Sequence, residues 1–363
     1  MAKKQNHYIP RMLLARFASR RDRNKAWVWQ LRRGSKPREV SVRDVGVGTY
    51  FYGNPETGVE EQFSEQETHT ASVLDAIEAG ADPAIHDADL RHWIHTLAYR
   101  TRHIRDAFAE AVDELLNEMT SQSDSDSAQH AGWAYVEANL DRILLDALSD
   151  LPQDQRDSIL AALERTPDGW QRLRSYAMQY ASQVDLGRAA KEFLRKARPF
   201  MGIERATQRG QVRGLSRILN ARTHSTPFAV DSWHVVRADP SHFILGDCCV
   251  FCIDERSNAY PLPAAPKDFQ ELYLPLSKRC MVVGVQGSSR PRLSIPQINL
   301  SAAKVSRDML FAASLDPSIL DLSKVIGTSS SYFRGDSVHK VVQDLWDEMR
   351  RNPGDRENNR GLK

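Results

Sequence analysis

The sequence predicts an α+β fold: a mainly antiparallel sheet from the N-terminal and C-terminal segments, with a large central helical region. Three observations predict it. Short β-branched and aromatic runs, punctuated by turn residues, occupy the opening segment. A helical period takes over from Val59 and lasts to about residue 220. Strand-like runs return after His224-Ser225-Thr226-Pro227. That order suits helices that interrupt or cover an antiparallel sheet.

Each element follows from a local pattern. Ile9, Leu13, Leu14 and Phe17 share one face and predict a short first helix. Trp27-Val28-Trp29 and Val40-Ser41-Val42 flank Gly34-Ser35-Lys36-Pro37, a hairpin signal with a longer loop. Val45 to Tyr52 predicts a further strand, ended by Gly53-Asn54-Pro55. Val59, Phe63, Thr70, Val73, Leu74 and Ile77 form one stripe, stopped by Gly80 and Pro83. A second stripe, from Leu90 and Trp93 through Leu97, Thr101 and Ile104 to Met119, predicts one helix of about eight turns. The polar run Ser121 to Ser127 predicts a mobile surface loop. Helices are expected at 130–149, 153–165, 168–196 and 203–219, then strands at 232–237, 242–245, 250–253, 271–274 and 280–285. Residues 299–313 and 338–350 read as closing helices, and 352–363 as a disordered tail. The regions expected are therefore 1–58, 59–222, 223–351 and the tail, in one integrated domain.

Composition sets the class. The 363 residues are 41% hydrophobic and 26% charged, an ordinary globular balance. No apolar run approaches the roughly 20 residues of a membrane-spanning helix, and the polar start carries no apolar signal core. Four cysteines are too few for a secreted disulfide scaffold, so a cytoplasmic setting is expected. The net charge of +2 hides segregation. Residues 1–43 carry 13 Lys and Arg against two acids, 44–90 carry no Lys or Arg and about a dozen acids, and 188–222 are basic again. Such blocks either neutralise one another in the fold or leave a phosphate-binding surface.

Several residues carry chemistry by type and place. His7, at the mouth of a basic segment, suits general acid or base work, or a backbone contact that fixes the chain. Glu60 and Glu67 lie two helical turns apart at the edge of the apolar stripe, where a carboxylate is partly desolvated. Arg100 and Arg105 flank Thr101 and suit either a phosphate clamp or pairing with Glu60 and Glu67. His92, His95 and His103 are expected to face solvent. Arg205, Arg209, Arg213 and Arg217 recur every fourth residue, a basic stripe suited to a nucleic-acid backbone or simply to solvation. Cys249 and Cys252 have a zinc-like gap with no matched second pair, and their segment also reads as a core strand. No P-loop, dinucleotide-binding glycine motif, nucleophile elbow or helical zinc pair is present, so no nucleotide or flavin cofactor is expected.

Together, Asn6-His7-Tyr8-Ile9-Pro10 with Leu14 and Phe17, Glu60-Glu61 with Glu67, and Arg100-Thr101 within Leu97 to Arg102 resemble DUF 4238, a bacterial domain of unknown function. Phe243 to Asp247, Leu274-Pro275-Leu276-Ser277 and Asn299 extend the resemblance, over about 1–110 and 215–315. Here Gly246 stands where the family has serine, and Cys248-Cys249 where it leads to proline. The resemblance supplies candidate positions, Asp247 among them, and no established activity.

The leading expectation is a protein that acts on nucleic acid, DNA or RNA, as a phosphodiester-cleaving enzyme. His7 would be the acid or base, Glu60, Glu67 and Asp247 would hold Mg2+ or Mn2+, and Arg100 would neutralise phosphate. The alternatives are a non-catalytic nucleic-acid-binding module, contacting through Arg205, Arg209, Arg213 and Arg217, and a protein-interaction or structural component.

Overall fold

Gly46 sets how the chain begins. The Tyr8 and Ile9 amides both donate to its carbonyl, at 2.8 and 3.3 Å. Its φ is +63°, and a Cβ there would stand 2.9 Å from that of Ile9, so a side chain would force the two segments apart. This contact seats β1 (Gln5–His7) antiparallel to β5 (Val47–Thr49). The computed structural model describes residues 5–52, 58–181, 185–198, 201–220, 228–287, 290–331, 340, 342–344 and 347. The expected turn at 53–55, the tail and most of the helix expected at 338–350 lie outside these.

Between β1 and β5 come α1 (Arg11–Arg16), β2 (Arg20–Asp22), β3 (Lys25–Arg32) and β4 (Arg38–Ser41). The helices α2 (Val59–Ala79), α3 (Asp87–Arg100), α4 (Arg102–Gln122), α5 (Asp126–Ser149), α6 (Gln153–Arg165), α7 (Gly169–Ala181), α8 (Leu186–Ala197) and α9 (Ile203–Asn220) follow. Then come β6 (Ser232–Arg237), β7 (Leu245–Gly246), β8 (Phe251–Ile253), β9 (Ala259–Pro261), β10 (Glu271–Pro275) and β11 (Cys280–Val285). The described chain closes with α10 (Ile295–Val305), β12 (Met309–Ala312) and α11 (Pro317–Leu322).

The chain divides into two compact units, residues 1–109 with 203–333 and residues 110–202 with 334–363. The first holds the sheets, all of whose pairings are antiparallel. One sheet runs β2-β3-β12-β7, with β4 also on β3, and so joins the N-terminal hairpin to the C-terminal segment. The other runs β6-β11-β10-β8-β9. Every residue of β10 and β11 is buried, which explains their continuous apolar runs. All four cysteines are free and buried here, behaving as small apolar side chains. The fold is α+β as the sequence predicts.

The second unit is helical. Its described core is small: Ala128, Ala131 and Leu140 are buried, while Ile143, Leu145, Leu151, Ile159, Tyr176, Tyr180 and Phe193 stay exposed. Ion pairs bridge its helices instead, Arg198 to Asp113 at 2.9 Å, Lys191 to Asp124 and Arg174 to Asp141.

Five expectations need correcting. The single long helix is two, because Thr101 is extended (φ −68°, ψ 153°). The carbonyls freed there, those of Tyr99 and Thr101, accept from Gln211 Nε2 at 2.8 and 3.0 Å. The serine-rich stretch is a short turn: α4 runs to Gln122, Ser123 is buried, and Ser125 caps α5 by accepting from the Ala128 amide. Residues 168–196 split into α7 and α8, the latter capped by Asp185 accepting from the Arg188 amide. The helix expected at 299–313 covers 295–305, and Met309–Ala312 is instead a buried strand between β3 and β7. Finally, His103 is buried with Nε2 2.8 Å from the Ser330 carbonyl, away from solvent.

Candidate functional site: a sealed arginine and an open basic cleft

Four of the five predicted catalytic residues meet beneath β1. Arg100, the last residue of α3, is 1% exposed. Its Nη1 donates to Glu67 Oε1 at 2.5 Å, its Nε to the Tyr52 hydroxyl at 2.7 Å, and its Nη2 to the His7 carbonyl at 2.7 Å. The Tyr52 hydroxyl donates to the same carbonyl at 3.0 Å. The Phe63 ring lies under the guanidinium, 4.0 Å from centroid to Cζ, a favourable cation–π arrangement. Asn6 completes the group by donating to Glu60 Oε2 at 3.2 Å. Burial alone favours the neutral form of Arg100, but Tyr52 and Glu67 outweigh it and hold its pKa above the ordinary value. Arg100 therefore anchors β1 and α2 to α3, and it recruits His7 through its main chain. The His7 imidazole is half-buried.

Glu67 has a second face. It borders a hollow of about 450 Å³ lined also by Arg11, Arg21, Arg23 and Lys25, where the basic first block gathers. Other parts of that block are neutralised by the acidic one, as where Arg16 pairs with Glu78 at 2.6 Å and with Asp75.

Asp247 makes its hydrogen bonds elsewhere. Its buried carboxylate accepts from the backbone amides of Arg307, Asp308 and Met309, at 2.8, 2.8 and 3.2 Å. It thereby fixes the turn from α10 into β12. Burial pushes its pKa up to about 6 despite those three donors. Among the described residues, no group of three or more His, Cys, Asp or Glu side chains is placed to hold a metal ion. Glu60, Glu67 and Asp247 are thus not gathered into one, and neither are the cysteines.

The α9 arginines sit differently. Gln211 and Leu215 are buried, whereas Arg205, Arg209, Arg213 and Arg217 are all exposed. At 100° per residue the four span about 120° opposite the buried side. Among the described residues none of the four is in a salt bridge. Gln208 and Gln211 hold the helix in place, Gln208 by donating to the Tyr50 carbonyl at 2.8 Å.

At the N-terminal end of this row opens a cleft of about 330 Å³. Arg102, Arg105 and Arg205 line it with Tyr8, Phe51 and Asp106. Arg105 stacks on Phe51 at 3.6 Å and donates to Gln211 Oε1 at 2.9 Å and to the Phe51 carbonyl at 2.5 Å. Burial lowers its pKa to about 10. Tyr8 is 4% exposed; it belongs to the opening motif, in which no local signal sets it above His7.

The family model described as "Protein of unknown function (DUF4238)" matches residues 5–314. No curated protein and no solved structure matches the chain. Since the matched span covers most of the chain and carries the Asn6 to Pro10, Glu67, Arg100 and Asp247 positions just described, the protein belongs to the DUF4238 family.

Proposed function

We propose that this protein binds nucleic acid through its phosphate backbone, with the α9 arginines as the contact. One observation carries the reading: Arg205, Arg209, Arg213 and Arg217 are exposed together on the side of α9 opposite its buried residues. A row of this kind neutralises successive phosphates and releases counterions, which makes binding steeply salt-dependent. No aromatic ring interleaves with the row, so the reading implies backbone contact without base stacking. The four free cysteines and the lack of any helix, among the described residues, long and apolar enough to cross a membrane suit a cytoplasmic setting.

The test is fluorescence anisotropy with labelled DNA and RNA between about 50 and 200 mM salt. The Arg205→Gln, Arg209→Gln, Arg213→Gln, Arg217→Gln variant should bind weakly, and on duplex DNA its log K against log salt slope should be shallower by about 3 to 4. Wild-type protein that fails to bind any of these probes at the lowest salt refutes the proposal.

Phosphodiester cleavage is a second reading, favoured by one observation: Glu67 borders the hollow lined by Arg11, Arg21, Arg23 and Lys25. There its carboxylate would orient water or a Mg2+ or Mn2+ ion beside a bound phosphate. In this reading Arg100 positions Glu67 and does not touch substrate. Metal-dependent cleavage lost in Glu67→Gln, assayed below the variant's own melting temperature, would support it. Equal cleavage by wild type and variant would remove it.

A further inference from the structure

We propose that the cleft beneath Tyr8 is a binding site for a phosphate monoester, whether the end of a nucleic-acid strand or a free nucleotide. Three features of the cleft point to an anionic ligand with a small organic part, and none of them depends on the α9 row binding a strand.

The first is Tyr8. Its ring is buried, yet among the described residues its hydroxyl forms no hydrogen bond, and the residue lines the cleft. The ring is fixed by its burial while the hydroxyl faces the cleft, so it is a donor held in place and open to a ligand. Burial, then Asp247, raise the Tyr8 pKa, against Arg102 and Arg32, to about 12. The group stays protonated at neutral pH and donates.

The second is Arg105. This half-buried guanidinium has only neutral partners: the Phe51 carbonyl, the Gln211 amide oxygen and the Phe51 ring. Its Nη1 has no partner among the described residues. A cation held this way gains when an anion arrives, because burial outweighs the attraction of Tyr52 and Asp106. Arg100, five residues earlier, pairs with Glu67; among the described residues no carboxylate lies within salt-bridge distance of Arg105.

The third is the balance of the walls. Arg102 and Arg205 bring two more guanidiniums, and the carboxylates are Glu204 and Asp106. Asp106 is already shared by Arg102 at 3.4 Å and Arg307 at 3.7 Å, so it orients cations more than it repels a ligand. Val47, Phe51 and Ala109 supply an apolar wall. A volume of about 330 Å³ is at the low end for small-molecule sites. That is room for a phosphate with a sugar or base against the apolar side, and a forked guanidinium suits the phosphate oxygens.

The experiment uses one labelled oligonucleotide in 5′-phosphorylated, 3′-phosphorylated and unphosphorylated forms, with AMP and inorganic phosphate as competitors and as additives in thermal melts. A terminal phosphate should tighten binding by at least about tenfold, the gain of a single charge-assisted hydrogen bond. Tyr8→Phe and Arg102→Gln should each remove most of that preference and leave the unphosphorylated strand bound as before. If AMP raises the melting temperature and Tyr8→Phe abolishes the rise, while no strand binds, the cleft stands and takes free nucleotides, and the α9 reading falls. If all three strands bind equally and neither AMP nor phosphate competes or stabilises, the cleft proposal falls and the α9 reading stands. A preference that survives both substitutions places the phosphate elsewhere and also overturns the proposal.

Discussion

Arg100 and Arg105 stand five residues apart across the Thr101 break, and the protein surrounds them in opposite ways. Arg100 is sealed: a carboxylate, a phenol and a carbonyl take its donors, and Phe63 closes the remaining face. Arg105 borders an open cleft with a carbonyl, an amide oxygen and a ring, and among the described residues no carboxylate within salt-bridge distance. A buried charge that already has its counter-charge is architecture. One that lacks it, beside solvent, is available to a ligand. The break between them is what allows both outcomes, since Thr101 turns the chain so that α3 ends in the core and α4 begins at the cleft.

The contrast predicts effects of graded size. The largest is expected at the sealed site. Arg100→Met leaves the Glu67 carboxylate without its counter-charge and the His7 carbonyl with the Tyr52 hydroxyl alone, and should cost about 3 to 5 kcal/mol, read as a lower urea midpoint at unchanged slope. A cost below about 1 kcal/mol would mean that Arg100 is not the anchor described.

Asp247 sharpens the comparison, because it is buried like Arg100 but has backbone amides where Arg100 has a charge. Its folded pKa, about 6, lies above the ordinary 3.8. As pH rises the unfolded chain releases this proton first, so the group's contribution to stability is full below about 4 and is lost by the time pH passes about 6. Asp247→Asn does not titrate, so wild-type stability minus variant stability should fall across that window. A difference that rises or stays flat would contradict the assignment. The smallest effect is expected at the cleft: Tyr8→Phe removes a hydroxyl with no partner among the described residues and should change stability by no more than about 0.5 kcal/mol.

Much of this was legible in the sequence, and the failures share a cause. Glu67 and Arg100 are readable because both sit at the margin of an apolar stripe, where a charge must find a partner. The exposed α9 arginines are readable because a four-residue repeat drifts slowly around one side of a helix. The Thr101 break is not readable, since Leu97, Thr101 and Ile104 keep the helical period across it. What ends α3 is Gln211, 110 residues away. Met309–Ala312 fits either period over four apolar residues, and only the open edges of β3 and β7 make it a strand. Tyr8 differs from His7 by no local signal. Its role depends on which of two adjacent side chains reaches a cleft built from α4 and α9.

A salt titration of strand binding tests the central distinction most directly, comparing wild type, the four-arginine α9 variant and Glu67→Gln. Binding through open arginines predicts that the α9 variant loses most of its affinity and about 3 to 4 units of slope on duplex DNA, while Glu67→Gln keeps both. An α9 variant that binds with the affinity and salt slope of the wild type would contradict it.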